Sequence, residues 1–413
     1  MKKITVIGAG TGGAIVANSL ARNLKKEIQK GQVQVTVFDG AKYHEFQPAY
    51  LGVAFRGSNK NAIKRPIRSL LHPDVKLINE NCSEINLANE FVVGEKPGQR
   101  IDFDYIVIAL GCKPDPGQIP GLTEANLDFH TNAQASSIVY DRISKFKGGK
   151  IVTGITGLPY KCPPSPNEST FLLHEFFTKK GIRDRVKLSF ITPYLRPYPA
   201  EPISEVIEPL YKERNIETVL GFNVDSVDPV KKKVFSVEGE SVSYDELFLV
   251  PPHATPNVIR KAEFSDDEGW VVVDKRDLHV KNYDYAFAIG DNTNLPISKA
   301  GVEAHLEGIV VANNISAEIK GISERYLFTG RFQCTMETGF HKATFVVGTY
   351  QKPVKKIYPS FANYVKKKIM SKIYWNAELG KCEWLFKLNF GKDYYDVIRD
   401  GKTAAPAARA IPN

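Results

Sequence analysis

Two kinds of residue in this 413-residue chain could do chemistry, a glycine-rich turn near the N-terminus and five thiols. The turn runs Gly8-Ala9-Gly10-Thr11-Gly12-Gly13, a G-x-G-x-x-G spacing. Gly8 suits a tight turn, Gly10 lets the backbone approach a pyrophosphate, and Gly13 lets a helix sit close on a strand. Asp39, just beyond a run of β-formers at 33–38, stands where a carboxylate accepts from a ribose hydroxyl. The thiols are Cys82, Cys112, Cys162, Cys334 and Cys382; none makes a C-x-x-C pair, and their scatter is not a disulfide framework. His130, His174 and His305 lack metal-ligand spacing, so no metal is expected.

The elements around the turn are those a dinucleotide site requires. Ile4–Ile7 reads as a strand, and Val16, Leu20 and Leu24 mark the buried face of a helix whose N-terminus faces the phosphates. Residues 42–57, aromatic and aperiodic, read as a loop over the cofactor. A short strand at 75–78 and a hairpin across 85–93 follow, then a buried strand at 106–110 that ends on Gly111. Strands and helices alternate from 149 to 255, with a helix at 168–180 and another at 204–214, which argues for a second parallel sheet. A buried strand within 285–292 ends on Gly290 and Asp291, and a helix follows at 302–315. The fold class expected is α/β, with two Rossmann-like domains, each a three-layer unit around a parallel sheet. The first spans 1–114 and 278–345, the second 115–277, and a C-terminal membrane-associating region spans 346–413.

Hydrophobic content of 43% against 24% charged residues excludes a disordered chain. No apolar run is long enough to span a bilayer, and the first strand starts at once, leaving no room for a signal peptide; folding in the cytosol is the expectation. The net charge is +9, and residues 351–392 alone hold ten lysines against two glutamates. Such a patch fits nucleic acid or an anionic membrane surface equally well.

The strand–Gly111 element and the Gly290–Asp291 element resemble the second and third fingerprints of the FAD-dependent pyridine nucleotide-disulfide reductases. That resemblance implies FAD, with Asp291 on its ribityl chain and Lys299 near the ring. Where such enzymes carry a second glycine loop for NAD(P)H, this chain keeps Gly154 and Gly157 but has Tyr160 at the third position. Pro163, Pro164 and Pro166 oppose helical hydrogen bonding there. A nicotinamide site is therefore not expected.

The stretch Lys161-Cys162 with Pro166 and Glu168 has the pattern K-C-x-x-x-P-x-E, and Cys334 is followed by Glu337 and Gly339. Together, over roughly residues 1–350, they resemble the sulfide:quinone oxidoreductase and flavocytochrome c sulfide dehydrogenase family. The resemblance implies a redox-active pair, Cys162 and Cys334, that takes sulfide to zero-valent sulfur and passes electrons through FAD to membrane quinone. Cys112 is either the family's third thiol or structural; no cysteine lies between Lys113 and Lys161 for a covalent flavin link. Glu168 is the acid/base candidate, or else a helix cap. Lys161, Lys299 and His341 could lower the thiol pKa values, and His44 could also lie near the ring. Cys82 and Cys382 read as structural.

The tail supplies the last element. Within 359–375, Phe361, Val365, Ile369 and Ile373 fall on one stripe, with Lys366 and Lys367 pointing away from it and Lys368 and Lys372 flanking it. An interfacial helix on anionic lipid is the expectation, against a helix packed on the protein's own core with a solvated lysine face. Residues 403–413 read as a flexible tail. Partners expected are sulfide, quinone and anionic lipid, with no nucleic acid and the oligomeric state open. The competing readings are a type II NADH:quinone dehydrogenase, a flavin-binding redox sensor without turnover, and the flavoprotein subunit of a cytochrome-linked sulfide dehydrogenase.

Overall fold

The computed structural model describes residues 1–96, 98–381, 384–385, 388, 394–399 and 402–404. Cys382, Phe386 and Phe390, and the tail from 405, lie outside the described residues.

Among them a five-stranded parallel sheet runs in the order Ala286–Ala288, Tyr105–Ile108, Lys2–Ile7, Val33–Phe38 and Lys76–Ile78. Ile4 sits in register with both Val35 and Tyr105. The central strands are buried on both faces, so they read as continuous apolar runs. Helix Thr11–Asn23 lies against helix Gly301–Ile319, and Leu20, Val35, Leu306 and Val310 share one core. The chain therefore returns to its first sheet after leaving it beyond Tyr105–Ile108.

The second parallel sheet has the order Ile216–Leu220, Val186–Thr192, Gly149–Ile155, Glu246–Val250. Its core is aromatic, built on Phe171, Phe177, Phe190 and Phe248, and it takes in Cys334 and Met336 as well. Those two come from a hairpin, Phe332–Gly339 with Lys342–Gly348, in which Cys334 faces Val346. The returning chain thus lays one cysteine onto the domain that carries the other.

Four expectations change. Residues 42–57 are not a loop: Tyr43–Glu45 pairs with Lys64–Pro66, and Tyr50–Arg56 is a helix. Its Tyr50, Leu51, Val53, Ala54 and Phe55 are buried, so tertiary packing overrides the low propensity of Gly52. The helix placed at 168–180 begins at Ser165, with Pro166 in its first turn, where no N–H is needed. The helix placed at 204–214 begins at Glu201 and tolerates Pro209 inside it. Residues 403 and 404, read as tail, belong to strand Lys402–Ala404, paired with Tyr395–Arg399.

The basic segment forms helix Phe361–Glu378, capped by Ser360, whose hydroxyl accepts from the Asn363 N–H at 3.1 Å. Such a cap contributes about 1 kcal/mol. No helix among the described residues is long and apolar enough to cross a membrane.

Candidate active site

The glycine turn closes as its spacing requires. Gly8 has φ +98°, and a Cβ there would lie 2.4 Å from the Ala109 carbonyl; a Cβ on Gly13 would lie 1.9 Å from that of Gly8. A Cβ on Gly10, by contrast, would meet nothing within 4 Å, which leaves open the face where a pyrophosphate would lie. Gly301, at the start of the returning helix, sits next to Thr11, so two helix N-termini converge on this place. Asp39 accepts from Ala9 N (2.6 Å) and Ala41 N (2.7 Å), fixing the carboxylate at the strand end.

The second and third elements meet across the sheet, where Gly111 N donates to Asn292 Oδ1 at 2.9 Å. Gly290 N donates to Glu307 Oε2 at 2.6 Å. Beside them Asp291 keeps a buried Oδ1 with no hydrogen-bond partner, and burial pushes its pKa up against the pull of Lys161 and Lys299. An unpartnered buried carboxylate oxygen costs free energy unless something donates to it, and the hydroxyls of a polyhydroxyl chain would. The open Gly10 face, the paired helix ends and this oxygen fit FAD.

Lys299 is held by the carbonyls of Asp291 (3.1 Å) and Thr293 (2.6 Å), with its Nζ 4.0 Å from the Trp270 ring centroid. Burial lowers its pKa, opposed by Cys112 and Asp291. Cys112 is buried in this same cluster, its thiol pushed up to about 12 by burial and by Asp291, with Lys161 and Lys299 opposing. Lys161 and Lys299 act on Cys112, whereas the leading cation for Cys162 is Lys367, which sequence reasoning did not name for this role. His341 belongs to the hairpin turn, exposed, with its ring 5.1 Å from Tyr364. The five residue-to-residue steps from Cys334 to Gly339 alone span roughly 16 Å of strand, so His341 does not tune the thiols.

Cys162 and Cys334 come into mutual electrostatic range from chain positions 172 residues apart, with the rings of Tyr160 and Tyr198 beside both. Both thiols are free. Cys162 has φ 56°, a left-handed conformation uncommon outside glycine, and its N–H donates to Lys299 O at 2.7 Å. Its thiol is pushed up to about 12 by burial and Glu168, against Lys367 and Ser165. The Cys334 thiol is pushed well up by burial and then by Glu303. Its Sγ lies 3.9 Å from Glu303 Oε1, which accepts from Ser298 Oγ at 2.5 Å. The expectation of lowered thiol pKa values is thus reversed, because burial outweighs the cations.

Glu168 lies buried in the first turn of its helix, where Lys367 of the basic helix pairs with it. Lys367 also reaches Glu337 Oε1 at 3.2 Å, and Arg56 bridges Glu337 (2.5 Å) and Glu175 (3.0 Å). Burial pushes Glu168 up, only partly offset by Lys367. Glu337 is held down to about 2, because Lys367, Arg56 and Lys368 overcome its burial. Lys367 does point away from the apolar stripe, yet it faces the protein and not solvent.

The basic helix also closes over the first turn. Tyr374 OH bonds Thr11 Oγ1 (2.8 Å) and His44 Nε2 (2.6 Å), and the Tyr374 ring sits 4.2 Å from Phe46. His44 is therefore a buried link to the glycine turn, its Nδ1 3.2 Å from Ala9 O. Sequence reasoning passed over Glu303, Glu307, Lys367 and Tyr374. Glu303 and Glu307 carried a signal, two acids four residues apart in an apolar helix. The other two carried none.

Residues 2–152 match the model of the pyridine nucleotide-disulphide oxidoreductase family. The mitochondrial sulfide:quinone oxidoreductase of Mus musculus is 24% identical over 394 residues, covering 91% of this chain and 86% of that protein. The crystal structure of the sulfide:quinone oxidoreductase from Aquifex aeolicus superposes with a TM-score of 0.85 at 22% identity, covering 99% of this chain and all of that one. The chain is related to the sulfide:quinone oxidoreductases. A type II NADH:quinone oxidoreductase of Staphylococcus aureus is more distant, 23% identical over 78% of this chain and 84% of its own length. The expected class, an FAD-dependent oxidoreductase, and the two-sheet α/β fold agree with these relatives.

Proposed function

We propose that this chain is an FAD-dependent sulfide:quinone oxidoreductase that works on a membrane surface. The observation that carries the reading is the approach of Cys162 and Cys334, from two different domains, to within electrostatic range of each other, with Cys162 N bonded to Lys299 O and Cys334 Sγ beside Glu303. FAD would be held by Gly8, Gly10, Gly13 and Asp39 at its nucleotide end and by Gly111, Gly290, Asp291 and Lys299 at its flavin end. When bound, it supplies the two-electron path from sulfur to quinone.

The chain's own part begins with the oxidised pair. Hydrosulfide attacks the Cys162–Cys334 disulfide, forming a persulfide on one sulfur and releasing the other as thiolate. Buried surroundings destabilise that thiolate, as the raised thiol pKa values indicate, so it is driven onward to transfer its electrons. Glu303, pushed well up by burial, is a carboxyl that can hold a proton beside Cys334, while Glu168 stays paired with Lys367 near Cys162. Cys112, within electrostatic range of Asp291 and Lys299, would stand at the flavin end, as a third thiol or as a structural residue.

The NADH reading is disfavoured at the second sheet. Residues 156–164 separate strand Gly149–Ile155 from helix Ser165–Lys179, and Gly154 is inside the strand, packed against Ile191. The tight strand–turn–helix of Gly8–Gly13 is not repeated there. Membrane attachment is supported by helix Phe361–Glu378, where Phe361, Val365 and Ile369 are 64%, 37% and 48% exposed with Lys366, Lys368 and Lys372 around them.

The test is substitution of each sulfur. Cys162→Ser and Cys334→Ser should each lose sulfide-dependent quinone reduction by at least about 100-fold while retaining FAD. Full activity in either variant would rule out the pair.

A further inference from the structure

The hairpin that carries Cys334 turns over at Phe340 and His341, between Gly339 and Lys342, which pair across it. Both central residues have positive φ, 49° and 58°, as a two-residue type I′ turn requires. Asn-Gly is the sequence such a turn prefers, and a bulky aromatic held there is an outlier. Phe340 and His341 thus occupy the tip against their own backbone preference. Strain of this kind persists where the side chains are put to use.

Packing within the fold accounts for only part of Phe340. Its ring meets that of His174 edge-on at 5.8 Å, and the Arg214 guanidinium carbon lies 5.9 Å from its centroid. The side chain nevertheless remains 40% exposed, and His341 beside it is exposed as well.

The tip is tied to the basic helix. Ala343 N donates to Ser360 O at 3.2 Å, and Ser360 N donates to Ala343 O at 3.0 Å. Ser360 caps helix Phe361–Glu378, whose exposed stripe begins at Phe361. The Tyr364 ring lies between the two parts, 5.1 Å from His341 and 6.3 Å from Phe361, with Lys368 Nζ 5.1 Å from its centroid. Residues 338–377 hold eight lysines and no acid, and Lys342, Lys366, Lys368 and Lys372 are exposed.

We propose that the hairpin tip, Phe340 with His341, enters an anionic lipid surface beside helix Phe361–Glu378, as a second point of the same attachment. The inference rests on the membrane reading of that helix. Exposed apolar side chains rimmed by lysines without neighbouring acids complement a negatively charged headgroup layer. Single-stranded nucleic acid would take the lysines and stack on the rings, but it makes no use of the aliphatic Val365 and Ile369, which an acyl layer does. The tip belongs to the strand pair that bears Cys334, so lipid would hold one arm of the sulfur site directly.

The FAD-loaded protein is sedimented with vesicles of phosphatidylcholine and phosphatidylglycerol. Phe340→Asn/His341→Gly installs the residues the turn prefers, so the fold and the flavin should be kept while vesicle binding weakens by about fivefold. A second variant, Phe340→Trp, keeps an aromatic ring at the tip and reads insertion directly. Vesicles with brominated acyl chains should quench its fluorescence beyond the quenching seen for the native tryptophans, and this arm decides even where the double variant does not fold. Unchanged vesicle binding in a folded double variant, or no added quenching in Phe340→Trp, overturns the inference while the helix remains the anchor. A parent protein that binds no vesicles would instead sink the membrane reading, and the tip with it.

Discussion

Lys367, on the basic C-terminal helix, is ion-paired with Glu168, six residues beyond Cys162 and 199 residues away in the chain. The lysine also reaches Glu337, three residues beyond Cys334. One cation therefore ties the helix that exposes Phe361, Val365 and Ile369 to both segments that carry the sulfurs. The exposed apolar stripe and the two thiol-bearing segments are thus joined through one buried cation.

The first prediction concerns that tie. Lys367→Met leaves Glu168 buried without its partner, and removing one member of a buried pair costs about 3–5 kcal/mol. Thermal unfolding followed by circular dichroism should register that loss, and the double variant Lys367→Met/Glu168→Gln should recover most of it. Equal stabilities for the single variant and the parent would mean that the pair holds nothing together.

Glu337 predicts an acid limb. Its carboxyl is held at about 2, below the ordinary 4.5, once Lys367 and Arg56 overcome its burial. The folded state thus binds the proton more weakly than the unfolded chain. Its stabilisation is fully present above about pH 4.5 and drains away as pH falls toward about 2. Denaturant unfolding between pH 5 and 3 should show the parent losing stability faster than Glu337→Gln. Parallel curves would contradict the ion network.

The exposed stripe predicts binding to lipid. Each large apolar side chain that leaves water contributes about 1.5–3 kcal/mol. The triple variant Phe361→Ser/Val365→Ser/Ile369→Ser should therefore lose co-sedimentation with anionic liposomes while keeping FAD and Cys162 reactivity. Undiminished binding would assign the stripe to another role.

Asp291 predicts cofactor retention. Its unpartnered Oδ1 has an acceptor's role to fill, so Asp291→Ala should release FAD during gel filtration and weaken its binding by at least about tenfold. Stoichiometric flavin in that variant would remove the carboxylate from the binding site.

What could be read from the chain alone follows the range of each interaction. Gly8, Gly10 and Gly13 act on their own backbone within six residues, so their geometry is visible as a spacing. The two parallel sheets follow from apolar runs such as 33–38 and 186–191, for the same reason. Helix Tyr50–Arg56 was missed because it is short, interrupted by Gly52 and stabilised by what it packs against. Lys367 with Glu168, Tyr374 with Thr11 and Ser165 with His130 are side chains brought together from 35 to 363 residues apart. No local pattern marks such pairs. The thiol pKa values went wrong for a related reason: lysine proximity shows in sequence, whereas the burial that outweighs it does not.

The central claim, that sulfur and not nicotinamide feeds the flavin, has a direct test. The purified, FAD-loaded protein is mixed anaerobically with sulfide in one cuvette and NADH in another, and the visible flavin band is followed. Bleaching by sulfide, reversed on adding a quinone, with no response to NADH, is the predicted result. Bleaching by NADH and not by sulfide would contradict the account at its root.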